Sequence, residues 1–104
     1  MIVYDFFVYV YNIQKMAATF EDSVERVMHL GAEPSNEDKL KLYGLFKQST
    51  VGDVNIECPS IFNVSGRAKW YAWNEQKGKV GDLAKTDYIA LVDRLTTELG
   101  IKIV

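Results

Sequence analysis

Tyr43, Phe46 and Lys47 stand at i, i+3 and i+4, so a helix through them puts two rings and an ammonium group on one face. Lys69 and Trp70 are neighbours further along, and Tyr88 follows near the end of the chain. Rings beside lysines suit a ligand that is both flat and phosphorylated: the faces stack, and the ammonium groups meet phosphate oxygens as point charges. Between Gly66 and Lys85 the cations Arg67, Lys69, Lys77, Lys79 and Lys85 meet only Glu75 and Asp82, a local charge of +3 in a chain of formal charge −2. The same residues also fit core aromatics beneath a solvated lysine face, and composition does not separate the two readings.

Patterns for catalysis are sparse. The sequence has no glycine-rich phosphate loop, no Cys-x-x-Cys and no His-Glu-x-x-His. His29, the single histidine, reads as a helix-end residue, and Cys58, the single cysteine, as an ordinary loop thiol without a basic neighbour in sequence. One cysteine allows neither an internal disulfide nor a thiolate-rich metal site, and it points to a reducing, cytoplasmic setting. One histidine disfavours a His-based zinc site. The expectation is therefore a protein with no catalytic residue, no metal and no cofactor. Carboxylates such as Glu21, Asp22, Glu37 and Asp38 sit near helix starts, where caps and solvated faces account for them. The overall acidic balance gives no reason to expect nucleic-acid or anionic-membrane binding.

The elements that must position these residues divide the chain in two. Its 104 residues, 48% hydrophobic and 25% charged, suit one domain with a filled core. Residues 1–15 are an apolar extension rich in β-branched and aromatic side chains, shorter than the roughly 20 apolar residues of a membrane-spanning helix and unlike a secretory signal. They are expected to be either an upstream extension or an accessory that packs on the domain or on a second chain; Met16 would serve as an alternative start. Residues 16–104 are expected to form the working domain. Thr19 with Asp22 marks a helix start, with Phe20, Val24, Val27 and Met28 on one face and Gly31 and Pro34 as the stop. Ser35 with Asp38 opens a second helix running to about Val51. Residues 52–64 read as an ordered loop, and Ser65 is placed to cap a third helix that ends at Lys77-Gly78. Ala84, Tyr88, Leu91, Val92, Leu95 and Leu99 form the apolar stripe of a fourth helix ending at Gly100. The fold class is all-α, a four-helix bundle.

Two blocks carry a resemblance. The run Leu42-Tyr43-Gly44-Leu45-Phe46-Lys47-Gln48-Ser49-Thr50-Val51-Gly52-Asp53-Val54-Asn55 resembles a signature of the acyl-CoA-binding protein family. So does Gly66-Arg67-Ala68-Lys69-Trp70-Tyr71-Ala72-Trp73-Asn74, in register with the first, and Tyr88-Ile89 fits as well. The resemblance spans residues 20–100. It implies an up-down-down-up bundle that binds long-chain fatty acyl-CoA without catalysis, as an intracellular carrier and pool former. Tyr43, Lys47 and Lys69 match the family's contacts to the 3′-phosphate region of CoA, Tyr88 matches a tyrosine of the same site, and Trp70 stands with them. Phe46 occupies the place of a tyrosine that stacks on adenine, so the ring is kept and a hydroxyl lost. Met28 and Glu33 replace basic residues common near the ligand phosphates. Val80 and Gly81 replace a serine cap of the last helix. Phe20, Val24 and Met28 are candidates for the acyl groove, although helical spacing suits them equally to the core.

The resemblance implies a monomer whose partners are long-chain acyl-CoA and, transiently, acyl-CoA-using enzymes and membranes, but not nucleic acid. Residues 1–15 offer a route to self-association. An alternative is a helical interaction module that presents the Arg67-to-Trp73 surface to a protein or a single-stranded nucleic acid. A third reading is an enzyme in which His29 and Cys58 meet, or a binding module detached from an enzyme.

Overall fold

Thr19 starts the first helix by a reciprocal pair of bonds. Its hydroxyl oxygen accepts from the Asp22 N–H at 3.1 Å while the Asp22 carboxylate accepts from the Thr19 N–H. A computed structural model of the chain describes residues 19–102, with four helices: α1 (Phe20–Val27), α2 (Asn36–Thr50), α3 (Val64–Asn74) and α4 (Gly81–Leu99). The expectations for residues 1–15 lie outside the described residues. Ser35 caps α2 by accepting from the Asp38 N–H at 3.1 Å. Val80 precedes α4 with no side-chain cap, as expected from the missing serine.

Three details differ from the sequence expectations. α1 ends at Val27, before Gly31, because the chain turns out at Met28 and His29 so that Leu30 can pair with Ile101. The His29 carbonyl accepts from the Lys102 N–H at 2.7 Å, and the Gly31 N–H donates to the Gly100 carbonyl at 2.8 Å. A Cβ on Gly31 would run into the Leu99 carbonyl oxygen, so the clip needs glycine there. Asn63 caps α3, accepting from the Gly66 N–H at 3.0 Å, and Ser65 lies inside the helix. α3 stops at Asn74 and the chain turns through Gly78.

The fourth-helix stripe forms the centre of the core. Ala84, Tyr88, Leu91, Val92 and Leu95 pack with Phe20 of α1 and with Leu42 and Leu45 of α2. Helix α4 touches both α1 and α2, and α2 also carries α3, giving the up-down-down-up bundle. Arg26 reaches Asp93 at 2.9 Å to tie α1 to α4, and Arg94 reaches Asp38 at 2.7 Å to tie α4 to α2. Met28, expected on the apolar face, is 67% exposed because it lies past the end of α1.

Candidate functional site

Three helices bring one aromatic cluster together. Phe46 of α2 stacks on Phe20 of α1 with centroids 5.9 Å apart, and Tyr88 of α4 meets Phe20 edge-on at 5.0 Å and Phe46 at 6.4 Å. Phe20 and Tyr88 are buried, Tyr88 at 4% exposure, whereas Phe46 keeps 36% and so shows a ring face to solvent. Burial pushes the Tyr88 phenol above its ordinary range. Beside the cluster opens a cavity of about 410 Å³, walled by Tyr43, Phe46, Tyr88, Val27, Pro34 and Leu42, with Glu33 and Lys39 completing it.

Lysines stand over rings around this centre. Lys69 Nζ lies 5.7 Å from the Tyr43 centroid, across the α2–α3 contact. Lys47 Nζ lies 4.8 Å from the Trp73 ring, and Lys85 Nζ lies 5.6 Å from the Phe20 ring. Among the described residues none of these three lysines forms an ion pair, while Arg26, Lys39, Lys79 and Arg94 all do. Their charge is therefore available to an anion.

The α2–α3 approach that joins Tyr43 to Lys69 depends on Gly44. A Cβ there would collide with the Ala72 carbonyl oxygen and its carbon, so any side chain would force the helices apart. The loop before α3 is fixed by α3 itself. Trp73 Nε1 donates to the Gly52 carbonyl at 2.7 Å, Trp70 Nε1 to the Ile56 carbonyl at 2.8 Å, and Arg67 to the Pro59 carbonyl at 3.1 Å. Asp53 accepts from Gln48 Nε2 and from the Gly78 N–H, which closes the loop onto the α3–α4 turn. Those bonds, the backbone one first, hold the Asp53 carboxyl below its ordinary range.

Of the residues singled out from sequence, Tyr43, Phe46 and Tyr88 line one cavity, with Lys47 and Lys69 each over a neighbouring ring. Trp70 is half-buried with its indole N–H engaged by the loop. Phe20 is part of the core and Val24 packs against it, and neither they nor Met28 line the cavity. His29 pairs with Glu25 at 3.1 Å, and the described residues contain no cluster of His, Cys, Asp and Glu able to hold a metal ion. Lys85, read from sequence only as part of the local positive charge, comes to the Phe20 ring from α4, and the missed contributor is Lys39, which enters the cavity wall paired to Glu33 at 2.6 Å. That pairing, by hydrogen bond first and charge second, holds the Glu33 carboxyl below its ordinary range. The helical position of Lys39, one turn before Tyr43, was the available signal.

A second recess lies between α2 and α3, an open groove of about 750 Å³ with Leu40, Ala68, Tyr71 and Ala72 on its apolar side and Glu37, Lys41 and Glu75 among its polar residues. No helix among the described residues is long and apolar enough to cross a membrane.

Comparison with known proteins agrees with this arrangement. Residues 17–92 match the family model described as "Acyl CoA binding protein". The chain is 46% identical over 85 residues to "Acyl-CoA-binding protein homolog 1" of Caenorhabditis elegans, covering 82% of this chain and 99% of that one. It is 51% identical over 76 residues to "Acyl-CoA-binding protein" of Brassica napus, covering 73% and 83% respectively. The crystal structure of Oryza sativa Acyl-CoA-Binding Protein 2 superposes with a TM-score of 0.73 at 48% identity, covering 76% of this chain and 88% of that one.

Proposed function

Because the chain belongs to the acyl-CoA-binding protein family, we propose that it binds long-chain fatty acyl-CoA and carries it, without catalysis, between the membranes and enzymes that release and use it. The observation that carries the reading is the Tyr43–Lys69 juxtaposition across α2 and α3, with Lys47 near by and neither lysine ion-paired among the described residues. A nucleotide head supplies a flat base for the exposed Phe46 ring and phosphate oxygens for Lys47 and Lys69. The Tyr43 and Tyr88 hydroxyls are the polar handles of the same wall.

The tail supplies apolar area. A buried methylene is worth about 0.8 kcal/mol, so the fourteen of a palmitoyl chain contribute on the order of 11 kcal/mol if wholly buried, before ordering costs. The apolar wall of the same cavity, formed by Val27, Pro34 and Leu42, suits it. Exposed Met28 remains a candidate for contact with the tail, whereas Phe20 and Val24 serve the core. The chemistry needs no metal, cofactor or nucleophile: the ligand is held by stacking, charge and burial. The carrier acts as a monomer in the cytoplasm.

Calorimetric titration with palmitoyl-CoA, octanoyl-CoA and palmitate tests this reading. Tight binding of the long thioester, weaker binding of the short one and none of the free acid supports it, provided the thioester is recovered intact. Absence of binding to any acyl-CoA by folded protein overturns it.

A further inference from the structure

Glu33 and Lys39 wall the same cavity as Tyr43, Phe46 and Tyr88, and their side chains meet at 2.6 Å. Among the described residues lining that cavity, Lys39 is the one cation and Glu33 the one carboxylate. We infer that Lys39 is a further contact for the phosphate oxygens of the ligand head, and that Glu33 competes with the ligand for it and so weakens binding. The inference rests on the acyl-CoA reading above and adds to it two residues that set affinity for the charged head.

Three features of the pair support a shared cation. Its side chains are 42% and 83% exposed, so water screens the attraction and parting them costs little. Lys39 lies one helical turn before Tyr43 on α2, with a flexible stem that lets its ammonium leave Glu33 for an anion resting near the Tyr43 ring. A phosphate group also carries more charge than a carboxylate, which favours the exchange when ligand arrives. Once Lys39 has moved, Glu33 faces a polyanion with its own charge uncompensated, and the two repel.

The pairs between helices have a different task. Arg26–Asp93 and Arg94–Asp38 join separate helices of the bundle, whereas Glu33–Lys39 joins a loop residue to the helix that follows it, with both side chains exposed. Loss of the Glu33 charge should therefore leave the framework intact.

The test is titration of the full chain, as wild type, Glu33→Gln and Lys39→Gln, with palmitoyl-CoA and with palmitoyl-pantetheine, which keeps the tail and thioester but lacks the nucleotide phosphates. Glu33→Gln should tighten palmitoyl-CoA binding about twofold to fivefold, and Lys39→Gln should weaken it by a similar factor. Neither should alter palmitoyl-pantetheine binding. Unchanged or weaker palmitoyl-CoA binding by Glu33→Gln, unchanged binding by Lys39→Gln, or equal effects on both ligands would overturn the inference while leaving the carrier reading standing. Failure of the wild type to bind palmitoyl-CoA would remove both.

Discussion

The ammonium of Lys69 on α3 lies 5.7 Å from the centroid of the Tyr43 ring on α2, so two helices contribute to a single charged aromatic face. Lys69 is exposed and forms no ion pair among the described residues, so its removal should cost ligand affinity without unfolding the bundle. Lys69→Ala is expected to weaken palmitoyl-CoA binding by about tenfold, on the scale of one lost charge-assisted hydrogen bond. Lys69→Arg should retain part of it. Isothermal titration at fixed salt reads the difference.

That face exists only if α2 and α3 stay close. Gly44→Ala places a methyl group against the Ala72 backbone, so the helices must separate or the backbone must shift. Overpacking of this kind costs about 1–3 kcal/mol, and the variant should melt at lower temperature and denaturant concentration than wild type. Affinity should fall in the protein that remains folded, because Tyr43 and Lys69 move apart.

Stability should also fall in acid through Asp53. Its carboxyl is held below the ordinary range by the Gly78 N–H and by Gln48, so the folded state binds a proton less readily than the unfolded state. This contribution is complete above the ordinary aspartate range and is lost as pH falls through the lower folded-state value. Asp53→Ala should flatten that acid limb and lower the melting temperature at neutral pH, as thermal melts between pH 2 and 7 would reveal.

Residues 1–15 should be dispensable for binding. The family match begins at residue 17, and every residue assigned to the site lies between Phe20 and Tyr88. A chain that begins at Met16 is expected to bind palmitoyl-CoA with unchanged affinity and to sediment as a monomer. A folded but non-binding truncated protein would contradict this.

Local features were the legible part of the fold. Thr19 with Asp22 and Ser35 with Asp38 cap helices through bonds made within three residues, so spacing alone revealed them. The α4 stripe was equally plain, because burial of Ala84, Tyr88, Leu91, Val92 and Leu95 follows the helical period. What sequence misjudged depends on distant partners. α1 ends early because Leu30 pairs with Ile101, and nothing near Val27 announces that contact. Asn63 and Ser65 are both good caps, and the choice fell to Asn63, whose carboxamide oxygen takes the Gly66 N–H.

The site divides in the same way. Tyr43, Phe46 and Lys47 share a face by helical arithmetic, and Lys69 and Tyr88, singled out by residue type, took their roles from the family resemblance. The Phe20–Phe46–Tyr88 cluster joins three helices, and its geometry follows from packing. Glu33 was read as a lost positive charge; the fold brings Lys39 to it, six residues on, and restores a cation to that wall.

Whether Lys47 and Lys69 read the phosphates of an acyl-CoA head can be decided in one calorimetric comparison. Wild type and a Lys47→Ala/Lys69→Ala variant are titrated with palmitoyl-CoA and with its analogue lacking the 3′-phosphate. Removal of the phosphate should weaken wild-type binding by about tenfold or more and should change the variant's affinity little. Equal loss in both proteins, or a variant that binds palmitoyl-CoA as tightly as wild type, would contradict the account.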